Sequence, residues 1–451
     1  MYILRGVKTV DGGPVDLTIE GETIASLAPA PPAVAAGPIP AGAVVIPGDG
    51  LLVLPAFVDI HIHLDKAFVR DELPDTDGTL EGAIRAMRDR KARYTSDDVA
   101  ARASRLIRSS VTAGATRIRT HVDIDAAARL VALEGTRRAA AECADLCDVQ
   151  IVAFPQEGVV RDPQARRLME RAVELGVDAV GGMPHWEADP AAQREHVRFC
   201  FDLAAAADLD VDMHVDETDD AGVRTLEMVV DEAIARGWEG RVTVGHVCSL
   251  AGADEAYAAR VIRKCWEASV NVIANPATNL ILQGRGDRGL IRRGLTRVAE
   301  FRAAGVNLCF GQDNVSDGFC PFGRGDMLEI AFLAAHAAHL TSRRDLDYAL
   351  RGVTEAPARV WGLRDYGVRP GVRADLMCFR AASWEEALRL QNPPELVFFK
   401  GRPVARSAVT TVVGTAPVLA GLRGDGGEER RGSEGGAADD GWTDAPSRRS
   451  T

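Results

Sequence analysis

Residues 51–66, LLVLPAFVDIHIHLDK, end an apolar, β-branched run on two histidines spaced two apart. A run of this kind forms a strand buried on both faces. Residues two apart on a strand point the same way, so His61 and His63 are expected to project together from its end. Two imidazoles so placed can each offer a neutral nitrogen to a divalent cation. Alone, His-x-His fits two unrelated loop histidines equally well. What decides is whether further polar residues fall beside them.

A β-then-α rhythm from residue 52 onward supplies the elements that position such residues. Candidate strands are 52–60, 116–121, 149–154, 178–183, 210–214, 242–246, 270–275 and 306–311. Helical stretches lie between them at 97–112, 126–144, 164–175, 190–207, 222–236, 253–268 and 292–304, with more at 326–340 and 344–362. Gly114, Gly176 and Gly305 precede strands as helix-ending glycines do. Eight alternating units predict an α/β fold, a (β/α)8 TIM-type barrel, over 55–365. Short strands in 1–54 and in 366–415 (374–380, 395–400 and 402–412) are expected to form one small discontinuous β-sandwich domain built from both termini. Residues 29–42 read as a Pro- and Gly-rich loop, and the Gly-, Ser- and charge-rich tail 416–451 as disordered.

Active sites of such barrels sit at the C-terminal strand ends. There the chain places His61 and His63 (strand 1), His121 (strand 2), His214 (strand 5), His246 (strand 6) and Asp313 (after strand 8). His61, His63, His214 and Asp313 form a mixed nitrogen and oxygen set suited to one Zn2+ or Fe2+, with a position left open for water. Such an ion lowers the pKa of water toward neutrality. Glu217, three residues after His214, stands at the same rim as a candidate proton carrier to a ring nitrogen or leaving amine. His246 would stand beside the water and polarise it. His121 and His185 are as compatible with structural hydrogen bonding as with a direct role, and His196, His336 and His339 fall on helices and are assigned none.

Composition excludes other classes. Over 451 residues, 46% are apolar and 26% charged, ordinary for a globular protein of this length. A formal charge of −12 without a basic stripe argues against nucleic acid. No apolar run reaches the ~18 residues of a membrane span, and the N-terminus shows no secretory pattern. Eight scattered cysteines suggest free thiols in a reducing cytoplasm.

Together these stretches resemble the amidohydrolase superfamily, and within it the bacterial cytosine deaminase group. The resemblance rests on PAFVDIHIHLDK, RTHVD (119–123), IVAFPQEG (151–158), GGMPHWE (181–187), HVDE (214–217), NPATNLILQGR (275–285) and FGQD (310–313). It implies metal ligands at His61, His63, His214 and Asp313, a proton-shuttling acid at Glu217 and a water-orienting histidine at His246. It also implies that Gln156, beside Phe154, hydrogen-bonds a pyrimidine carbonyl. Binuclear members bridge their metals through a strand-4 lysine; here Met183-Pro184-His185 ends strand 4 and no lysine lies between Lys91 and Lys264, so one metal ion is expected.

Three positions depart from the cytosine pattern. Asn314 replaces an aspartate and can donate as well as accept. Phe319 replaces a tryptophan and keeps a smaller stacking face. Lys66 follows Asp65 as in N-isopropylammelide hydrolases, or else is a surface charge on the covering loop 66–78. The expectation is a metal-dependent hydrolytic deaminase of a small heterocycle, cytosine or a related pyrimidine. The alternatives are an N-alkylammelide or triazine aminohydrolase, a cyclic-amide hydrolase on the same barrel, or a non-catalytic binder. Relatives are often oligomers, which leaves a homo-oligomer open.

Overall fold

The computed structural model describes residues 1–10, 12–30, 39–75, 77–411 and 413. Residues 31–38 of the expected loop, and the expected disordered tail from 416, lie outside the described residues. Five strands come first: β1 (Tyr2–Thr9), β2 (Gly12–Glu20), β3 (Thr23–Pro29), β4 (Val44–Pro47) and β5 (Leu51–Pro55). Eight follow as the barrel: β6 (Phe57–Ile62), β7 (Ala115–Asp123), β8 (Asp148–Phe154), β9 (Ala179–Gly182), β10 (Asp210–Val215), β11 (Val242–His246), β12 (Asn271–Ala274) and β13 (Leu308–Phe310). The last three are β14 (Leu376–Arg380), β15 (Leu396–Phe399) and β16 (Arg402–Arg406).

The barrel strands are parallel and adjacent in chain order, β6 through β13. Helices cross between them and bury Val-, Leu- and Ala-rich faces against the sheet. β13 has only three residues, and the ring closes onto β6 through one bridge between Ile62 and Asp313. Asp313 N donates to His61 O at 2.7 Å, and His63 N to Asp313 O at 3.3 Å. Closure therefore runs through the backbone of three candidate ligands. A register shift in β6 between Asp59 and Ile62 adds a bulge beside His61, a common device for re-aiming a side chain at a site.

The strands outside the barrel form a second sheet, ordered β16-β15-β14-β5-β1-β2-β3 with β4 beside β1. Its two halves are joined by a single pair, Lys8 with Leu52. They enclose one core containing Leu4, Leu17, Val53, Leu376 and Phe398, the sandwich the sequence predicts.

Three elements differ from expectation, each for a local reason. The helix expected over 126–144 spans Val131–Glu142, because the Asp125 carboxylate captures the N–H groups of Ala127 and Ala128 and holds a turn there. The helix expected over 292–304 spans only Val298–Ala304, with Asp287 taking the N–H of Arg292. The helix expected over 344–362 breaks into Arg343–Gly352 and Glu355–Trp361. Pro357 has no N–H for the Val353 carbonyl, and that carbonyl accepts instead from Val58 N on β6. An unexpected helix, Leu80–Lys91, follows the 66–78 loop at the C-terminal end of the barrel. No helix among the described residues is long and apolar enough to cross a membrane.

Candidate active site

His61, His63, His214, His246 and Asp313 converge at the C-terminal rim and are all buried. His61 Nε2 and His63 Nε2 lie 3.5 and 3.3 Å from Asp313 Oδ1, and His63 Nε2 lies 3.1 Å from His214 Nε2. Ligand atoms about 2.0–2.1 Å from one tetrahedral ion stand roughly 3.3 Å apart, so these spacings suit a shared cation. Neither ring nitrogen of His61 and neither carboxylate oxygen of Asp313 has a hydrogen-bond partner among the described residues. Buried polar atoms without partners are costly, and a divalent ion held by this set would satisfy them.

Electrostatics points the same way. Burial pushes the His63 and His214 imidazoles well below the usual range, which keeps them neutral and able to coordinate. Burial opposes ionisation of Asp313, but the neighbouring His246, His61 and His63 hold it well below the usual carboxylate range. Asp313 and His246 both adopt left-handed backbone, φ 65° and 71°, an uncommon conformation for non-glycine residues that clusters at functional sites. Gly245 and Gly311 keep the ring of His61 in place: a Cβ would lie 2.8 Å from His61 Cε1 at Gly245 and 2.8 Å from His61 Cβ at Gly311.

His246 fits a different role from the four candidate ligands. Its donor atom can be grouped with those of His61, His214 and Asp313 within 4.8 Å. Two side-chain amides also crowd its ring, Asn279 Nδ2 at 3.0 Å from Nδ1 and Asn275 Nδ2 at 3.3 Å from Nε2. His246 Nδ1 also lies 3.2 Å from Glu217 Oε1, and only 4.0 Å from Asp313 Oδ2. Glu217 is buried; burial first and then the Asp313 charge raise its pKa well above the usual range.

A cavity of about 520 Å3 opens above Glu217, lined by Leu80, His185, Trp186, Leu282, Gln283 and Arg285 among others. The Phe154 ring stacks on His214 at 4.1 Å, and Phe154, Met183, Leu282 and Phe319 form one apolar cluster beside the site. Lys66 is only 1% exposed, which overturns the surface-charge alternative. Its ammonium sits 5.3 Å from the ring centres of both Phe154 and Phe319, bonds Gln156 Oε1 and pairs with Asp123 Oδ1 at 2.9 Å. Asn314 is not the free donor expected: its Nδ2 is committed to Asp317 Oδ2 at 2.6 Å.

The remaining histidines sort by contact. The His121 ring packs 4.2 Å from that of His61, and its Nε2 lies 3.2 Å from Asp212 Oδ1, whose other oxygen takes Arg119 at 3.0 Å. His185 lines the cavity wall. His196 lies 2.8 Å from Glu187 and takes the Met183 N–H, fixing the end of β9. His336 and His339 are exposed and away from the rim.

The amidohydrolase family pattern matches residues 75–405. This chain belongs to the amidohydrolase family.

Among relatives of this amidohydrolase, a pterin deaminase of Rhizobium rhizogenes is 36% identical over 80% of this chain and 82% of its own. A 5-methylcytosine deaminase of Klebsiella pneumoniae, solved with 5-fluorocytosine, superposes with a TM-score of 0.85 at 35% identity, covering 92% of this chain and all of the other. N-isopropylammelide isopropylaminohydrolase of Burkholderia multivorans superposes at 0.78 with 30% identity, over 90% and 98%.

Sequence reasoning passed over several residues the amidohydrolase places at this site. Asn275 and Asn279 flank His246, and their four-residue spacing across the start of the short helix Pro276–Leu282, with Asn275 at its N-cap, was a readable signal. Lys91, Asp123 and Asp125 form a buried ionic group behind Lys66. Only the scarcity of lysine in the chain hinted at it.

Proposed function

We propose that this amidohydrolase is a hydrolytic deaminase of a small nitrogen heterocycle, a cytosine-like pyrimidine or the fused pyrimidine of a pterin, releasing ammonia. The observation that carries the reading is the joint placement of Glu217 and four ligand-type side chains at one buried rim beneath a cavity. Resemblance to a pterin deaminase and a 5-methylcytosine deaminase supports the substrate class.

In this reading His61, His63, His214 and Asp313 would hold one divalent ion, Zn2+ or Fe2+, since three imidazoles and a carboxylate suit either. Such an ion makes an attacking water acidic enough to act near neutral pH. Glu217 accepts a proton from that water and delivers it to the ring nitrogen beside the amine-bearing carbon. His246, held by Asn275 and Asn279, hydrogen-bonds the attacking oxygen and fixes its approach. Asp313 passes the second water proton to the exocyclic nitrogen, so that a C–O bond replaces the C–N bond and ammonia leaves. Phe154 and Phe319 give the ring apolar faces, and Gln156 and Asn314 meet its polar edge. Eight unpaired, buried cysteines suit work in a reducing cytoplasm.

A second reading, release of an alkylamine from an N-alkylated ammelide, is favoured by Lys66 after Asp65 and by the ammelide-enzyme fold likeness. A panel of cytosine, isocytosine, creatinine, pterin and N-isopropylammelide, offered to zinc-loaded protein, separates the two. Ammonia from a pyrimidine or pterin is expected. Isopropylamine from the ammelide, with no ammonia from the others, would overturn the deaminase reading.

A further inference from the structure

Two buried side-chain amides, Gln156 two residues after Phe154 and Asn314 directly after Asp313, are each tied at one end to an ion that leaves it no choice of orientation. Gln156 Oε1 takes the Lys66 ammonium. An ammonium has donors only, so the oxygen of Gln156 must turn toward Lys66 and its NH2 must turn away. That NH2 has only the weak acceptor Met183 Sδ, at 3.4 Å. At the other position the polarity is reversed. Asn314 donates Nδ2 to Asp317 Oδ2 at 2.6 Å, while Asp317 Oδ1 takes the N–H groups of Phe319 and Cys320 at 2.8 and 3.0 Å. A carboxylate accepts only, so the Asn314 NH2 is held and its Oδ1 is left without a protein donor among the described residues.

We propose that Lys66 and Asp317 are specificity-setting positioning residues, which lock Gln156 as a donor and Asn314 as an acceptor and so select a ring edge carrying a carbonyl and an N–H. The Lys66 lock is braced from behind by Asp123, which Lys91 holds at 2.7 Å. Both locking residues are at most 1% exposed, so water does not compete for them. The ligand class follows: a lactam-type edge, C(=O) next to N–H, as in an amino-oxo-pyrimidine. A shape-matched ring with an amino group beside a bare ring nitrogen presents donor to donor and acceptor to acceptor. A wrong edge leaves buried polar groups unpaired, which costs more than the net worth of the bonds themselves.

The proposal rests on the deaminase reading for where the ring lies, but its test does not need turnover. Zinc-loaded protein is titrated calorimetrically with pyrimidin-2(1H)-one and with 2-aminopyrimidine, two rings of equal size and opposite edge polarity. The wild-type protein is expected to bind the pyrimidinone at least ~10-fold tighter. Lys66→Met and Asp317→Asn each free one amide to rotate, and each should shrink that preference to about 3-fold or less. A purely structural role would weaken both ligands together and leave the ratio in place. Gln156→Glu, an isosteric change beside an intact Lys66, removes the donor and should abolish the preference even where the other variants fold poorly. No preference in the wild type, binding of neither ring, or a preference retained in all three variants overturns the assignment. Ammonia release from the heterocycle panel with no edge preference would sink the lock alone; an edge preference without ammonia release would sink the deaminase reading alone.

Discussion

Glu217→Gln is expected to lower ammonia release by about 10³-fold, within the range that a positioned acid–base group contributes, with bound metal unchanged. The substitution preserves size and can still face Asn279 Nδ2, which lies 3.4 Å from Glu217 Oε1. It removes the one property the proposed chemistry needs, the ability to take a proton from water and return it to the ring. No other carboxylate can substitute without moving. In the proposed route Asp313, beside His61 and His63, already carries the other water proton, and Asp216 accepts the Thr225 and Leu226 N–H groups. Steady-state ammonia release and metal content, measured on the same preparation, check this. Turnover within tenfold of wild type with a full metal complement would remove Glu217 from the proton path.

The second large effect is on stability. Lys91 is buried with its ammonium 2.7 Å from Asp123, 2.5 Å from Asp125 and 3.4 Å from Glu157. Burial alone would lower its pKa, but these three carboxylates hold it well above the usual lysine value. Lys91→Met keeps the aliphatic stem and deletes the charge. Asp123 retains Lys66 and Glu157 retains Arg88, but Asp125 loses its only cationic partner among the described residues. Breaking a buried pair from one side typically costs about 3–5 kcal/mol, and urea unfolding should register a loss of that order. A change below about 1 kcal/mol, the size of an ordinary surface substitution, would show that the network is not holding the helix Leu80–Lys91 against the barrel.

Much of this site was legible because barrel topology turns sequence order into geometry. His61, His63, His214, His246 and Asp313 each follow a recognisable strand, and parallel strands with short connections place all such ends on one rim. Boundaries were less legible where a side chain outcompeted the backbone. Asp125 stole the N–H groups that would have begun a longer helix, and Pro357 freed a carbonyl that β6 then used. The polarity of Gln156 and Asn314 was not legible at all. It depends on Lys66 and Asp317, whose roles arise from where the loops after β6 and β13 fold back, and no spacing rule encodes that. The opposite held for Lys66: its type and place in the motif marked it as important, yet only its burial between Phe154 and Phe319 separates a positioning charge from a solvated one.

His61, His63, His214 and Asp313 are proposed to assemble one metal site that drives heterocycle deamination. Its most direct test is to strip the protein with a chelator and add Zn2+ stepwise while following ammonia release from a panel substrate. No release is expected from the stripped protein, followed by a linear rise that levels at one equivalent per chain. Release that is indifferent to metal, or that levels only at two equivalents, would contradict it.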